Sequence, residues 1–411
     1  MKIAVIGRGS AGCLAAAEIT QGFPEHQLYH IYDPTVPIIG VGEGTLPGMP
    51  MTLARLTSLT SSVIESRLAA TKKYGIQFEG WGTSQSSFFN HFYPRGETFG
   101  YHLSASSLVE LLSEYINAIH IRDSVVEIRR EGLTATLTFM EGSSLNVDFV
   151  IDARGFPQRL DPQNHIEIQF IPTNTAIIRR VEQREFISAT RAVARPHGWV
   201  FVIPLQTHTS YGYIFNRNIS EPEEVNRNFD EFMKAERVDS FESRGLIPFP
   251  NFICSKLYDG VVARVGNAGG FMEPLEATAL ALIEHQLKTI IPRRLRRPRI
   301  SVEDDAVVIN RHLMRRSWRY ALFISWHYAS GSIYDTPFWK FAREHAFHHK
   351  IGETENFGID CQAERELFNQ FLYAGLALSD DSKKASLPTL PSFGGFAVEN
   401  FADMANGLGY C

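Results

Sequence analysis

An α/β fold, in which a helix-flanked parallel sheet carries a β-rich insertion and a helical C-terminal part, is what this chain predicts from three observations. The first is an apolar run, Lys2-Ile3-Ala4-Val5-Ile6, that leads directly into Gly7-Arg8-Gly9-Ser10-Ala11-Gly12 and an Ala-rich stretch from Ser10 to Thr20. The second is the β-branched and aromatic content of Ile166 to Ile203 and Ser210 to Phe215. The third is helical periodicity from Val302 onward, with polar breaks at Gly331, Gly352 and Asp380 to Lys384. With 411 residues, 44% hydrophobic and 21% charged, the chain can bury a large core.

The opening reads as strand, tight turn and helix. A second strand, Leu28 to Tyr32, ends at Asp33. In such a unit the first glycines, Gly7 and Gly9, let the backbone turn and approach a pyrophosphate, and Gly12 permits close helix packing. The helix N-terminus at Ser10 and Ala11 offers unpaired N–H groups to the phosphates. Asp33 stands about 20 residues on, where an acid can accept from ribose hydroxyls. Strand before, helix after and acid beyond together predict dinucleotide binding. A hairpin follows in which Leu133, Ala135, Leu137 and Phe139 alternate with polar residues. Val261 to Val265 reads as a strand into Gly266-Asn267-Ala268, with a helix expected from about Pro274. Glu221 to Glu236 reads as a helix with Ser220 as its N-cap.

Composition excludes several classes. A net charge of −5 leaves no footprint for nucleic acid, and the cluster Arg293, Arg294, Arg296, Arg297 and Arg299 reads as a solvated connection between helices. Four cysteines, Cys13, Cys254, Cys361 and Cys411, are too sparse for a disulfide scaffold and lack the spacing for zinc. His345, His348 and His349 with Glu344 have no second cluster to complete a site, so no metal is expected. No run approaches the ~20 apolar residues needed to span a bilayer, and no cleavage site follows the first strand. No membrane association and a cytoplasmic setting are the expectation. Neither a GxSxG elbow nor a GxxxxGK[ST] loop is present.

Several segments resemble one family. Asp148-Phe149-Val150-Ile151-Asp152-Ala153-Arg154-Gly155-Phe156 looks like the strand and turn that close the dinucleotide fold in flavoprotein monooxygenases. Ala70-Thr71-Lys72-Lys73-Tyr74-Gly75-Ile76-Gln77-Phe78-Glu79-Gly80-Trp81 and Gly266 to Leu280 then resemble the flavin-dependent halogenases of the tryptophan halogenase family. So does Gly40-Val41-Gly42-Glu43-Gly44-Thr45, similar to that family's GVGEAT loop with Gly44 for Ala. Trp199-Val200-Phe201-Val202-Ile203-Pro204 is similar to its WxWxIP signature, with Phe201 in place of the second Trp. Phe323 to Tyr328 and Asp335-Thr336-Pro337-Phe338-Trp339 resemble its C-terminal helical segments.

The resemblance implies an FAD-binding Rossmann-like module of the flavin monooxygenase type, formed by residues 1–155 and 256–290. A β-rich substrate module would occupy 156–255 and a helical substrate region 291–411. It implies FAD used as FADH2 from a separate reductase, a halide ion, and an electron-rich indole- or phenol-like aromatic as substrate. FAD would be held by Gly7, Gly9, Ser10, Ala11, Gly12, Asp33, Gly40, Val41, Gly42, Glu43, Gly266 and Asn267. Hypohalous acid would reach Lys73, whose amine must lie in a water-excluding pocket, while Glu276 orients the oxidant or takes the ring proton. Lys72 is the control, because neighbours on an extended segment point to opposite sides. Glu273 and Glu276 also fit plain first-turn acids facing a helix dipole. Thr278 and Ala279 correspond to the pair lining the halide site. Ala277 stands where the family has Ser, removing one hydroxyl hydrogen bond, and Ala279 where it has Gly or Ser; the altered pair Thr278-Ala279 and an open, shortened substrate region suggest bromide or iodide over chloride. Trp199, Phe201, Ile203 and Pro204 would keep substrate from the flavin, and His327 would line the site. The family's members acting on free tryptophan are usually longer, so a more open site is expected here. The alternative is an FAD-dependent aromatic monooxygenase that hydroxylates. Oligomeric state is left open, a homo-oligomer included.

Overall fold

The computed structural model describes residues 1–38, 42–83, 86–182, 187–296, 302–346, 359–378, 390 and 392–410. Gly40, Val41, Arg297, Arg299, His348, His349, Gly352 and 380–384 lie outside these residues.

A five-stranded parallel sheet forms the first layer, in the order Val262–Arg264, Phe149–Asp152, Lys2–Ile6, Gln27–Ile31, Ile119–Ile121. Lys2–Ile6 is central, and Ile3, Ala4, Val5 and Ile6 are all buried because both faces are covered. Helix Ser10–Gly22 packs on one face through Leu14, Ala15, Ala16 and Ala17. The expected hairpin covers the other face as part of an antiparallel sheet, with Ala135, Leu137 and Phe139 inward.

The second sheet has seven strands, Glu242–Pro248, Thr175–Glu182, His208–Phe215, Gly198–Pro204, Thr190–Arg195, Gly75–Glu79 and Ser87–His91 in spatial order. It is not confined to the stretch after residue 156. Gly75–Glu79 pairs in parallel with Thr190–Arg195 and antiparallel with Ser87–His91, so the Lys73 motif runs into this sheet. Trp199, Phe201 and Ile203 face the main core, while Val200 and Val202 face helix Pro222–Ala235. Helices Thr278–Arg296, Val302–Ala329, Pro337–His345, Cys361–Leu378 and Val398–Leu408 complete the molecule. No described helix is long and apolar enough to cross a membrane, and the described residues hold no cluster suited to a metal.

Three local expectations are corrected. The helix expected from Ser220 has Glu221 as N-cap with no side-chain cap, and Pro222 sets its first turn. The Ser220 hydroxyl lies instead 3.2 Å from His197 Nδ1. The helix expected near Pro274 begins at Thr278, because Ala277 takes a left-handed φ of 54° that breaks the helical path. Arg293, Arg294 and Arg296 are not a solvated connection but the last turn of that helix, where cations complement the dipole. Arg294 is buried and donates to the Asp148 carbonyl at 2.8 Å.

Candidate active site

The first turn separates packing glycines from an open one. A Cβ on Gly7, at φ 113°, would lie 2.3 Å from the Ala153 carbonyl oxygen, and one on Gly12 would lie 2.0 Å from that of Gly7. Both are glycine because backbone crosses backbone there. Gly9 differs: at φ −77° its Cβ would meet nothing within 4 Å, so nothing inside the protein requires glycine. It is the N-cap of helix Ser10–Gly22 and carries no side-chain cap, which leaves the first-turn N–H groups without a capping side-chain acceptor. Gly266, at φ 63°, presses on Ala11, where its Cβ would be 2.8 Å from the alanine methyl. The Gly266 N–H donates to Gln286 Oε1 at 3.0 Å, and Asn267 sits in the short turn Gly266–Ala268. Glu43 hydrogen-bonds with Ser10, and burial pushes its carboxyl up to about 7. Asp33 lies beyond its strand as expected, but its oxygens already accept from Thr35 N–H at 2.8 Å, Thr35 Oγ1 at 2.6 Å and Ser124 Oγ at 2.7 Å.

Strand Thr71–Lys73 resolves the two lysines. Lys72 points outward, 3.5 Å from Glu65 and 4.7 Å from the Phe99 ring centre. Lys73 points inward and is fully buried, its Nζ 5.3 Å from the Phe92 ring centre and without a hydrogen-bond partner among the described residues. Burial lowers its amine to about 8, partly opposed by the negative charge of Glu276. Gly44 supplies the space beside it: a Cβ there would lie 3.2 Å from Lys73 Nζ, 3.3 Å from the Ala277 methyl and 3.5 Å from Thr190 Oγ1. Gly42 lies against Ile203, Leu205 and Ser210.

Glu273 and Glu276 sit ahead of the helix, not in its first turn, and both are buried. Glu273 accepts from Tyr328 at 2.7 Å and from the Thr173 hydroxyl, and Tyr328 in turn accepts from the Trp199 indole at 2.8 Å. Burial pushes the Glu273 carboxyl up to about 7. Glu276 is instead 2.8 Å from His327 Nε2, with Asn90 Nδ2 at 3.4 and 3.5 Å from its two oxygens. Thr278 opens the helix with a buried hydroxyl that has no partner among the described residues, followed by Ala279.

Trp199, Phe201, Ile203 and Pro204 all lie buried on strand Gly198–Pro204. The Phe201 ring covers Gly212 on the next strand, where a Cβ would come within 2.1 Å of it. The Pro204 carbonyl accepts from Thr71 Oγ1 at 2.8 Å. That bond leads to a residue that the sequence reading missed. His102 lies buried opposite Thr71, with Nδ1 3.2 Å from Thr71 Oγ1 and Nε2 2.8 Å from Thr190 Oγ1. Burial and the Lys73 charge hold it well below the usual histidine range, hence neutral. Since Thr71 donates to the carbonyl, His102 donates from Nδ1 and accepts at Nε2. Asn90 and Asn400 were also missed; none of the three stands in a motif whose spacing could signal it.

The sequence matches the family model for tryptophan halogenase over residues 2–98 and 93–380. Tryptophan 6-halogenase SttH of Streptomyces toxytricini is 25% identical over 273 residues, covering 62% of this chain and 51% of that protein. Tryptophan 7-halogenase RebH of Lentzea aerocolonigenes is 22% identical over 431 residues, covering 84% and 79%. The match thus spans about half the length of SttH. Among solved structures, Xcc4156, a flavin-dependent halogenase from Xanthomonas campestris, superposes with a TM-score of 0.81 at 18% identity, covering 100% of this chain and 89% of that one. BrvH, a flavin-dependent halogenase from Brevundimonas sp. BAL3, superposes at 0.79 with 20% identity, covering 99% and 90%. At such identities the superpositions show a shared fold, and the family match over most of the chain places this protein in the tryptophan halogenase family.

Proposed function

We propose that this protein halogenates an electron-rich aromatic or heteroaromatic compound of indole or phenol type, using FADH2 from a separate reductase, O2 and halide. The observation that carries the reading is Lys73: a buried amine lowered to about 8, without a hydrogen-bond partner among the described residues, on a strand whose neighbouring lysine is half-buried and paired with Glu65. With the amine lowered to about 8, the part of it that is neutral near pH 7 can act as a nucleophile, and the protonated part can donate.

The residues fit FAD. The space in front of Gly9, the uncapped helix behind it and the close approach of Gly266 to Ala11 form a cradle for a pyrophosphate. Reduced FAD with O2 supplies the oxidising equivalents that turn halide into hypohalous acid. Lys73 then receives the oxidant at Nζ, and the fraction of neutral amine able to do so rises with pH through about 8. Glu276, held by His327 and Asn90, takes the proton that leaves the substrate ring. The Trp199–Phe201–Ile203 face, tied to Glu273 through Tyr328, walls the flavin side from the substrate side. Gly44, with no side chain of its own, lies against the Lys73 amine and the Ala277 methyl, and the Thr278 hydroxyl has no partner among the described residues; a bromide or iodide preference over chloride is the reading we attach to these positions.

The test is incubation with FAD, a flavin reductase, O2 and separately chloride, bromide or iodide against a panel of aromatics, with products read by mass. A halogenated product formed faster from bromide or iodide is expected. Hydroxylated product independent of halide would replace the reading with a monooxygenase.

A further inference from the structure

Hydrogen-bond directions around Glu276 can be counted from backbone groups whose roles are fixed. His327 Nδ1 lies 2.8 Å from the Phe323 carbonyl oxygen, which only accepts, so Nδ1 carries a hydrogen. A neutral ring protonated there presents a bare Nε2, and its 2.8 Å contact with Glu276 then needs a hydrogen on the carboxyl. A ring protonated on both nitrogens meets a carboxylate instead. In either arrangement one proton lies between the two groups and their summed charge is zero.

The other side is fixed in the same way. The Ala397 N–H donates to Asn400 Oδ1 at 2.9 Å, so Asn400 Nδ2 is the donor to Asn90 Oδ1 at 2.8 Å and to the His91 carbonyl at 2.7 Å. That leaves Asn90 Nδ2 directed at Glu276. Among the described residues, the Lys73 amine acts on Glu276 and the rings of Phe78, Trp81 and Phe323 lie against His327, while the Glu273 carboxyl is engaged separately by Tyr328 and Thr173. Water is excluded on the histidine side, where the ring is fully buried.

We propose that His327 is a positioning residue for Glu276: it holds one proton against the carboxyl and, with the Asn400–Asn90 arm, fixes the orientation of that carboxyl. The use made of the proton rests on the halogenase reading; the sharing itself does not. In the imidazolium–carboxylate arrangement, Glu276 can accept one proton from a substrate ring while the imidazolium keeps its own.

The test combines 15N spectra of histidine-labelled protein with kinetics, the His327 signals being assigned by their loss in His327→Gln. A hydrogen on Nδ1 is expected. His327→Gln, which still donates to the carboxyl but carries no titratable proton, is expected to lower kcat about tenfold. It should also displace the acid limb of the pH–rate profile, with KM and FAD affinity unchanged. His327→Leu should lose more than the Gln variant. A bare Nδ1, or a pH–rate profile of His327→Gln superimposable on that of the parent, overturns the proposal. Should no aromatic be turned over at all, the halogenase reading fails, and the ring-nitrogen spectra still decide this proposal.

Discussion

The dinucleotide turn and the Lys73–Glu276 pocket are built by opposite means. In the turn, one continuous stretch from Lys2 to Gly12 supplies strand, loop and helix, and two of its three fingerprint glycines are explained by backbone contacts to Ala153 and Gly7. In the pocket, the residues come from separate segments: Gly44, Lys73, Asn90, Thr190, Glu276, His327 and, through Asn90, Asn400. The turn is open at Gly9. The pocket is closed around the buried Lys73, Glu276 and His327. The turn can therefore be probed by adding atoms, and the pocket chiefly by changing charge.

Changing charge has the larger expected effect. Glu276→Gln keeps the shape but removes the proton acceptor, and kcat should fall roughly a hundred- to ten-thousand-fold with FAD affinity unchanged. A parallel loss of FAD binding would mean that the two regions are not separable. Gly9→Val adds atoms at the turn, where the backbone tolerates them and no neighbour is touched. Its melting temperature should match the parent, while FAD affinity falls roughly ten- to a hundredfold, the cost of intruding on an occupied site being about 1–3 kcal/mol. Normal affinity in that variant would overturn the assignment of the cradle.

Gly44→Ala sharpens the contrast, because it adds one methyl to the closed region, 3.2 Å from the Lys73 amine. Crowding worth about 1 kcal/mol should lower iodination relative to chlorination by about fivefold. An unchanged halide ratio would remove Gly44 from the account of selectivity. The smallest effect concerns stability. The Glu273 carboxyl is raised from 4.5 to about 7 by burial, so between these values the folded protein holds a proton that the unfolded chain has released. Its contribution is full below 4.5 and is lost as pH rises through about 7, on the order of 3 kcal/mol. Glu43 shares this sign, so Glu273→Gln should flatten only part of the fall in thermal stability across that window. A slope identical to the parent would count against the burial argument.

The same contrast explains what the sequence could tell. The β–turn–α unit and the inward Lys73 follow from local rules, glycine at crossing backbones and alternation along a strand. The Trp199–Phe201–Ile203 face follows from alternation too. The helix start near Pro274 was misplaced because one left-handed residue, Ala277, is invisible to periodicity. His102, Asn90 and Asn400 could not be found because their roles exist only after strand pairing sets them beside Thr71, Thr190 and Glu276. Asp33 stands where its motif puts it, yet the oxygens are already engaged by Thr35 and Ser124, a local competition that spacing cannot show.

The central claim is that a single buried amine, Lys73, acts after the oxidant has been formed. Its direct test is to compare Lys73→Ala with Lys72→Ala for halogenated product, FAD binding and O2 consumption in the presence of the reductase. Lys73→Ala is expected to lose product by orders of magnitude while binding flavin and consuming oxygen as the parent does, and Lys72→Ala to behave like the parent. Product retained in Lys73→Ala, or an equal loss in Lys72→Ala, would contradict it.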